Sequence, residues 1–141
     1  GYIRFSYPGI YMGEEIEDIR LELKDGVVVK GTAAKGEALL QEILAIPGAN
    51  RFGEAAIGTN KGITTFSRNM LFDEKIGGTM HLALGDSYGE CGGTNRSVVH
   101  WDLIADMRRP GSRIEADGEV FYADGRFLES FLNTLELNGG I

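Results

Sequence analysis

The chain has 141 residues, 43% of them hydrophobic and 25% charged, with a net charge of −7. That length suits one ordinary domain with a real core, and the composition excludes a disordered chain. The acidity disfavours a nucleic-acid surface, which needs a basic patch, and no apolar run approaches the ~18–20 residues of a membrane span.

The same reading predicts neither a nucleic-acid partner nor a membrane partner. No basic start followed by an apolar stretch marks a signal peptide. Residue 1 is glycine rather than an initiator methionine, so the chain is expected to have been cut, tagged or processed. Cys91 is the only cysteine. An internal disulfide is therefore excluded, and a reducing, cytoplasmic location is the simplest expectation. The negative charge serves solubility first, and attraction of metals or a protonated amine second.

In chain order, the first clear element is a hairpin. Ile19, Leu21 and Leu23 alternate with polar residues, Asp25-Gly26 follows, and Val27-Val28-Val29 returns. Asp-Gly favours tight turns because both residues tolerate positive φ. A helix is predicted over 35–46, with Ala38, Leu39, Ile43 and Ile46 near helical spacing and Glu37 in its first turn. Pro47-Gly48 ends it. The stretch 64–75 reads as either a short helix or an extended segment. Gly89 to Gly93 is turn-like. Asp117-Gly118 and Asp124-Gly125 bracket a short strand, 119–122, in a meander. Calcium loops are excluded because the Asp-x-Asp-x-Asp-Gly spacing is absent. The tail, 126–137, carries an apolar stripe of Phe127, Leu128, Phe131, Leu132 and Leu135 that suits a helix, and Gly139-Gly140 is expected to free the terminus. The fold class is α+β: a mixed, mostly antiparallel sheet with hairpins and one to three helices.

Three apolar runs each hold ionisable residues where a strand core is expected. In the run 98–104, His100 and Asp102 are two residues apart and point to one face. Two ionisable groups on a buried face cost several kcal/mol unless paired or bound to a cation. A hydrogen-bonded structural pair and a metal site are equally compatible with that segment alone. In the run 79–85, His81 shares its face with Thr79, Ala83 and Gly85, all small, while Met80, Leu82 and Leu84 face the core. In the run 52–58, Glu54 has Ala56 and Gly58 beside it, and glutamate is almost never fully buried without a partner. Taken singly, a satisfied core histidine and an exposed glutamate account for His81 and Glu54.

Together the runs say more. His81 and His100 are the only histidines, and both lie in apolar surroundings near carboxylates. Imidazole with carboxylate is a ligand set for zinc, cobalt or manganese, and two such ions activate water and polarise a carbonyl together. A Gly-x-Ser-x-Gly elbow, a phosphate-binding loop and a His-Glu-x-x-His helix are all absent. Metal-assisted hydrolysis is the enzymatic reading that the spacing supports, with no substrate named.

Four stretches carry a family resemblance: 3–11, 51–60, 71–85 and 99–104. The most specific are Gly78-Thr79-Met80-His81-Leu82-Ala83-Leu84-Gly85 and His100-Trp101-Asp102. They resemble the aminopeptidase T family of metallo-aminopeptidases, the thermophilic aminopeptidase, AmpS and PepS group. The resemblance implies an exopeptidase that removes N-terminal residues from peptides with two divalent metal ions (zinc, cobalt or manganese), as a homodimer. It implies Glu54, His81, His100 and Asp102 as metal ligands. It places Tyr88 near the metals as a donor to a developing oxyanion. It places Glu74 within a motif, as ligand, base or support. The family's first metal-binding glutamate precedes the segment that matches 2–11. The expectation is therefore that 1–141 is a C-terminal metal-binding catalytic domain without the N-terminal domain, and that its metal site is incomplete and weakly filled. The alternative expectation is a non-catalytic folding or dimerisation domain.

Overall fold

The computed structural model describes residues 1–137, with side chains described through 134. Gly139-Gly140 and the side chain of Leu135 lie outside the described residues.

The chain opens with two small antiparallel units. Strands β1 (Tyr2–Arg4), β4 (Arg20–Lys24) and β5 (Val27–Thr32) form a sheet in the order β1-β4-β5, while β2 (Gly9–Tyr11) and β3 (Glu14–Ile16) form a hairpin. The β4–β5 hairpin turns at Asp25-Gly26, with φ of 52° and 75°. Positive φ at both central residues is the backbone twist that matches two right-twisted strands. The β2–β3 turn uses the same conformation at Met12-Gly13, φ 50° and 87°. Methionine gives no sequence signal for that turn.

Helix α1 (Glu37–Ala45) follows and buries Leu40 and Ile43 against the core. Leu39, Leu44 and Ile46 pack beside them, whereas Ala38 is exposed. The apolar stripe is therefore rotated from the expected one: the larger leucines take the core face and Ala38 turns outward.

The central sheet is antiparallel, in the order β6 (Phe52–Gly58), β7 (Thr79–Gly85), β8 (His100–Asp106). Residues 59–78 form a long loop between β6 and β7 that contains the short helix α2 (Met70–Asp73). Residues 86–99 link β7 to β8 through a 3₁₀ turn at Gly89–Cys91. The C-terminal meander β9 (Arg113–Ala116), β10 (Glu119–Ala123), β11 (Arg126–Phe127) turns at Asp117-Gly118 and Asp124-Gly125, again with positive φ at all four residues. Helix α3 (Glu129–Leu137) begins after β11, so the predicted tail helix is shorter at its start.

Ladder pairing among the named strands is antiparallel throughout, and the fold is α+β. One hydrophobic cluster joins the N-terminal sheets, α1 and one face of the central sheet. It includes Phe5, Ile16, Ile19, Leu21, Leu40, Ile43, Leu84, Trp101 and Leu103. Met80 and Leu82 pack against it, as the alternation in 79–85 predicts. Trp101 also donates Nε1–H to the Ile10 carbonyl at 2.9 Å, which ties the β2–β3 hairpin to β8. The core thus clamps one face of the central sheet, and the ionisable residues Glu54, His81, His100 and Asp102 lie on the other. Among the described residues, no helix is long and apolar enough to cross a membrane.

Candidate metal centre

Register explains how the ionisable residues meet. Ala83 on the middle strand stands opposite Glu54 on β6 and Asp102 on β8. One step along the same face, His81 stands opposite Ala56 and Ile104, and one step the other way Gly85 stands opposite His100. A β-bulge between Phe52 and Glu54 sets the glutamate in this register. Ala83 is the centre of the group and carries only a methyl, so the longer side chains lean together over it. Gly85 has φ of 105°, and a Cβ there would collide with the Val99 carbonyl. Glycine is what lets the strand end pass so close to the start of β8.

The side chains converge as the register requires. Nε2 of His81 lies 3.1 Å from one oxygen of Glu54, and Nε2 of His100 lies 3.2 Å from the other. Both Nε2 atoms are 3.9 Å from Oδ1 of Asp102. A metal ion with ligands at ~2.1 Å in tetrahedral array holds them roughly 3.4 Å apart. The observed spacings bracket that value.

Two ligand groups result. Glu54, His100 and Asp102 offer atoms within 4.8 Å of one another, and so do Glu74, His81 and Asp102. Asp102 belongs to both. Glu74 is not on the sheet at all: it follows α2 in the 59–78 loop, and the loop carries it to His81. It also forms an ion pair with Lys75.

The electrostatics of the group favour a cation. The Asp102 side chain is 12% exposed, and burial holds its carboxyl above the usual range. His81 and His100 pull it down, while Glu74 and Glu54 push it further up. Oδ1 of Asp102 and Nδ1 of His81 are buried with no hydrogen-bond partner. Buried polar atoms without partners are costly, and a bound cation is the partner that carboxylates and imidazoles share. The residues therefore fit a divalent metal in donor chemistry, spacing and unmet bonding capacity.

The orientation of His100 is fixed from behind. Its Nδ1 lies 3.0 Å from the Asp86 carbonyl oxygen. A carbonyl only accepts, so Nδ1 donates to it, and the ring is held with Nε2 toward the cluster. Residue-type reasoning missed this contact because a main-chain carbonyl has no sequence signature. It also missed Asp73, which is 0% exposed and bonded to Ser67. The signal available was a carboxylate inside the apolar stretch 70–73.

Tyr88 stands at the rim, 55% exposed, with its ring edge-on to His100 at 5.4 Å between centroids. It belongs to neither ligand group. A cavity of about 740 Å³, lined in part by Gly58, Lys61, Arg108, Tyr122 and Phe127, contains none of the cluster residues.

An antiparallel sheet that gathers two imidazoles and two carboxylates on one face, joined by Glu74 from a loop, defines a candidate divalent-metal site. Comparison with known proteins gives the family. The profile of the thermophilic metalloprotease (M29) family matches residues 1–127, and the chain belongs to that family. Aminopeptidase PepS of Streptococcus thermophilus is 34% identical over 125 residues, covering 74% of this chain and 29% of its own length. Aminopeptidase 2 of Geobacillus stearothermophilus is 32% identical over 149 residues, covering 90% of this chain and 36% of its own. The solved structure of wild-type AmpT from Thermus thermophilus superposes with a TM-score of 0.72 at 29% identity, covering 91% of this chain and 36% of that one. The chain thus spans about a third of the length of these relatives.

Proposed function

We propose that this chain supplies the metal-binding centre of a metal-dependent aminopeptidase, an exopeptidase acting on the first peptide bond of a peptide with a free amino terminus. Two divalent cations, zinc, cobalt or manganese, would be held by Glu54, His100 and Asp102 on one side and by Glu74, His81 and Asp102 on the other. The observation that carries this reading is that Asp102 is common to both ligand groups. A carboxylate bridging two ions is the usual way to hold them ~3.5–4 Å apart. The aminopeptidase names of the relatives supply the reaction class.

When bound, such a pair of ions supplies Lewis acidity, which polarises a carbonyl and lowers the pKa of water. The rest is done by residues of the chain. Ala83 puts only a methyl beneath the cluster, between Glu54 and Asp102. The Asp86 carbonyl holds the His100 ring with Nε2 toward the cluster. Glu54 divides its two oxygens between the two imidazoles and so sets their separation. Tyr88, exposed beside His100, would donate its phenolic proton to the oxygen that gains charge as the carbonyl is attacked. The acidic surface, with a net charge of −7, favours approach of a protonated amino terminus.

The test is titration of the intact protein with zinc, cobalt or manganese in the presence of an aminoacyl chromogenic substrate. Metal-dependent release that a chelator reverses is the expected result. Hydrolysis that survives chelation would sink the reading, as would failure of all three metals to support any.

A further inference from the structure

Four of the five clustered residues are placed by strand register, whereas Glu74 depends on a loop. The neck of that loop is rooted in the sheet. Asn60 N–H donates to Lys75 O at 2.9 Å, Gly77 N–H to Asn60 O at 2.8 Å, and Thr79 Oγ1 to Ile76 O at 2.8 Å. Gly58 permits this closeness, since a Cβ there would strike the Ile76 carbonyl. These bonds fix the chain just after Glu74. Just before it stands Asp73, the only carboxylate among the described residues that is 0% exposed. Its Oδ1 accepts from Ser67 N–H at 2.7 Å and from Ser67 Oγ at 2.8 Å. Oδ2 is buried and receives no donor.

Glu74 is therefore held between two fixed points, Lys75 at the neck and Asp73 inside the loop. We propose that Asp73 is a positioning residue: its buried bonds to Ser67 lock the 59–78 loop so that Glu74 stands against His81 and Asp102. This rests on the metal-site reading above and adds a specific dependence to it. The ion held by Glu74, His81 and Asp102 should need Asp73, whereas the ion held by Glu54, His100 and Asp102 should not.

The discriminating substitutions follow from the bonding. Asp73→Ala removes both Ser67 bonds. Asp73→Asn keeps an oxygen at the Oδ1 position and replaces only Oδ2, which holds nothing. Glu74→Gln weakens the ligand and leaves the lock intact. Each is titrated in the intact protein with Co²⁺ alone, followed by visible absorption and by elemental analysis. Amide hydrogen exchange at Ser67 is measured on the metal-free protein.

Wild type is expected to bind both ions. In Asp73→Ala, one ion should bind as before and the other about 10–100-fold more weakly, the usual cost of losing a support behind a ligand. Its Ser67 amide should exchange faster. Asp73→Asn should restore both ions and Ser67 protection. Glu74→Gln should lose the same ion as Asp73→Ala, with Ser67 still protected. If Asp73→Ala does not fold, Ser67→Ala, which removes one of the two bonds, should give a smaller loss of the same ion. Asp73→Ala that binds both ions with wild-type affinity overturns the inference, as does Asp73→Asn that is as impaired as Asp73→Ala. If wild type itself binds no Co²⁺, the metal-site reading fails instead, so the two failures are told apart.

Discussion

On one face of the central sheet, Met80, Leu82 and Leu84 lie beside Trp101, Leu103 and Ala105 and join the core. On the other face of the same strands, His81 and Ala83 lie beside His100 and Asp102 and leave polar atoms without partners. Backbone, hydrogen bonding and twist are shared, so the contrast lies in the side chains alone. The strand period of 2 lets one short sequence carry both. Packing on the first face makes the second rigid enough to hold several like-charged groups together without relaxing. Stability and chemistry should then be separable by face, which is open to experiment.

The largest effect should come from the core face. Leu103 is 0% exposed and central to the packed cluster. Leu103→Ala should cost about 2–5 kcal/mol of unfolding free energy, measured by denaturant titration. Metal affinity of the folded fraction should hardly change. A large loss of affinity at unchanged stability would break the division by face. The mirror experiment is His81→Ala. Because removing even a supporting partner of a metal site costs ~10–100-fold, loss of a ligand should weaken metal binding by at least ~100-fold. The denaturation midpoint of the metal-free protein should move little, since His81 already has an unpartnered buried nitrogen.

How far the two faces were legible in the sequence depends on the kind of signal. Asp25-Gly26, Asp117-Gly118 and Asp124-Gly125 announced their hairpins because those residues accept positive φ, and each turn has it. Met12-Gly13 forms the same turn with only its glycine as a signal, and Met12 stands there 90% exposed. Glu54, His81, His100 and Asp102 stood out because charge inside an apolar run is costly unless something uses it. Their small neighbours Ala83 and Gly85 pointed to room above the face, and the register sets Glu54, Asp102 and His100 opposite those two positions. Glu74 could be named but not assigned a role, since a loop has no periodicity from which to read a direction. The Asp86 carbonyl and the Ser67 partner of Asp73 were invisible for a related reason: both are brought in by a chain path that no local pattern encodes.

A third prediction sharpens the contrast at Asp102. Burial raises its carboxyl in the folded state relative to the unfolded one. For an acid shifted that way, the penalty is absent at low pH, where both states are protonated. It grows as pH rises through the ordinary carboxylate range and is complete above the raised folded value. Asp102→Asn removes the charge, so at neutral pH the metal-free variant should be more stable than wild type by about 1 kcal/mol, the scale of a relieved buried polar group. It should also bind metal poorly. Excess metal should reverse the order, since a ligand at 100 times its Kd stabilises the native state by about 2.7 kcal/mol. Thermal melts with metal and with chelator would show the crossing. A metal-free Asp102→Asn less stable than wild type would mean that the carboxylate is already satisfied by its imidazole neighbours.

The smallest effect belongs to Asp106, which stands opposite Thr79 at the far end of the same face. Here a charge is matched within the chain. Arg108 donates to both Asp106 oxygens, from Nε at 2.8 Å and from Nη2 at 2.9 Å, and its hydrogen bonds hold the carboxyl below the usual range. A lowered folded value means that the stabilisation is present above the unfolded carboxylate pKa of about 3.9 and is lost as pH falls through the lower folded value. The Arg108 side chain is 43% exposed, so solvent screens the pair and its worth should stay below about 1 kcal/mol. The difference in unfolding free energy between wild type and Asp106→Asn should thus be small and constant near neutrality. It should shrink on acidification below about pH 4, and metal affinity should be unchanged throughout. If Asp106→Asn weakened metal binding as His81→Ala is expected to, the site would extend along the whole face and not end at His81.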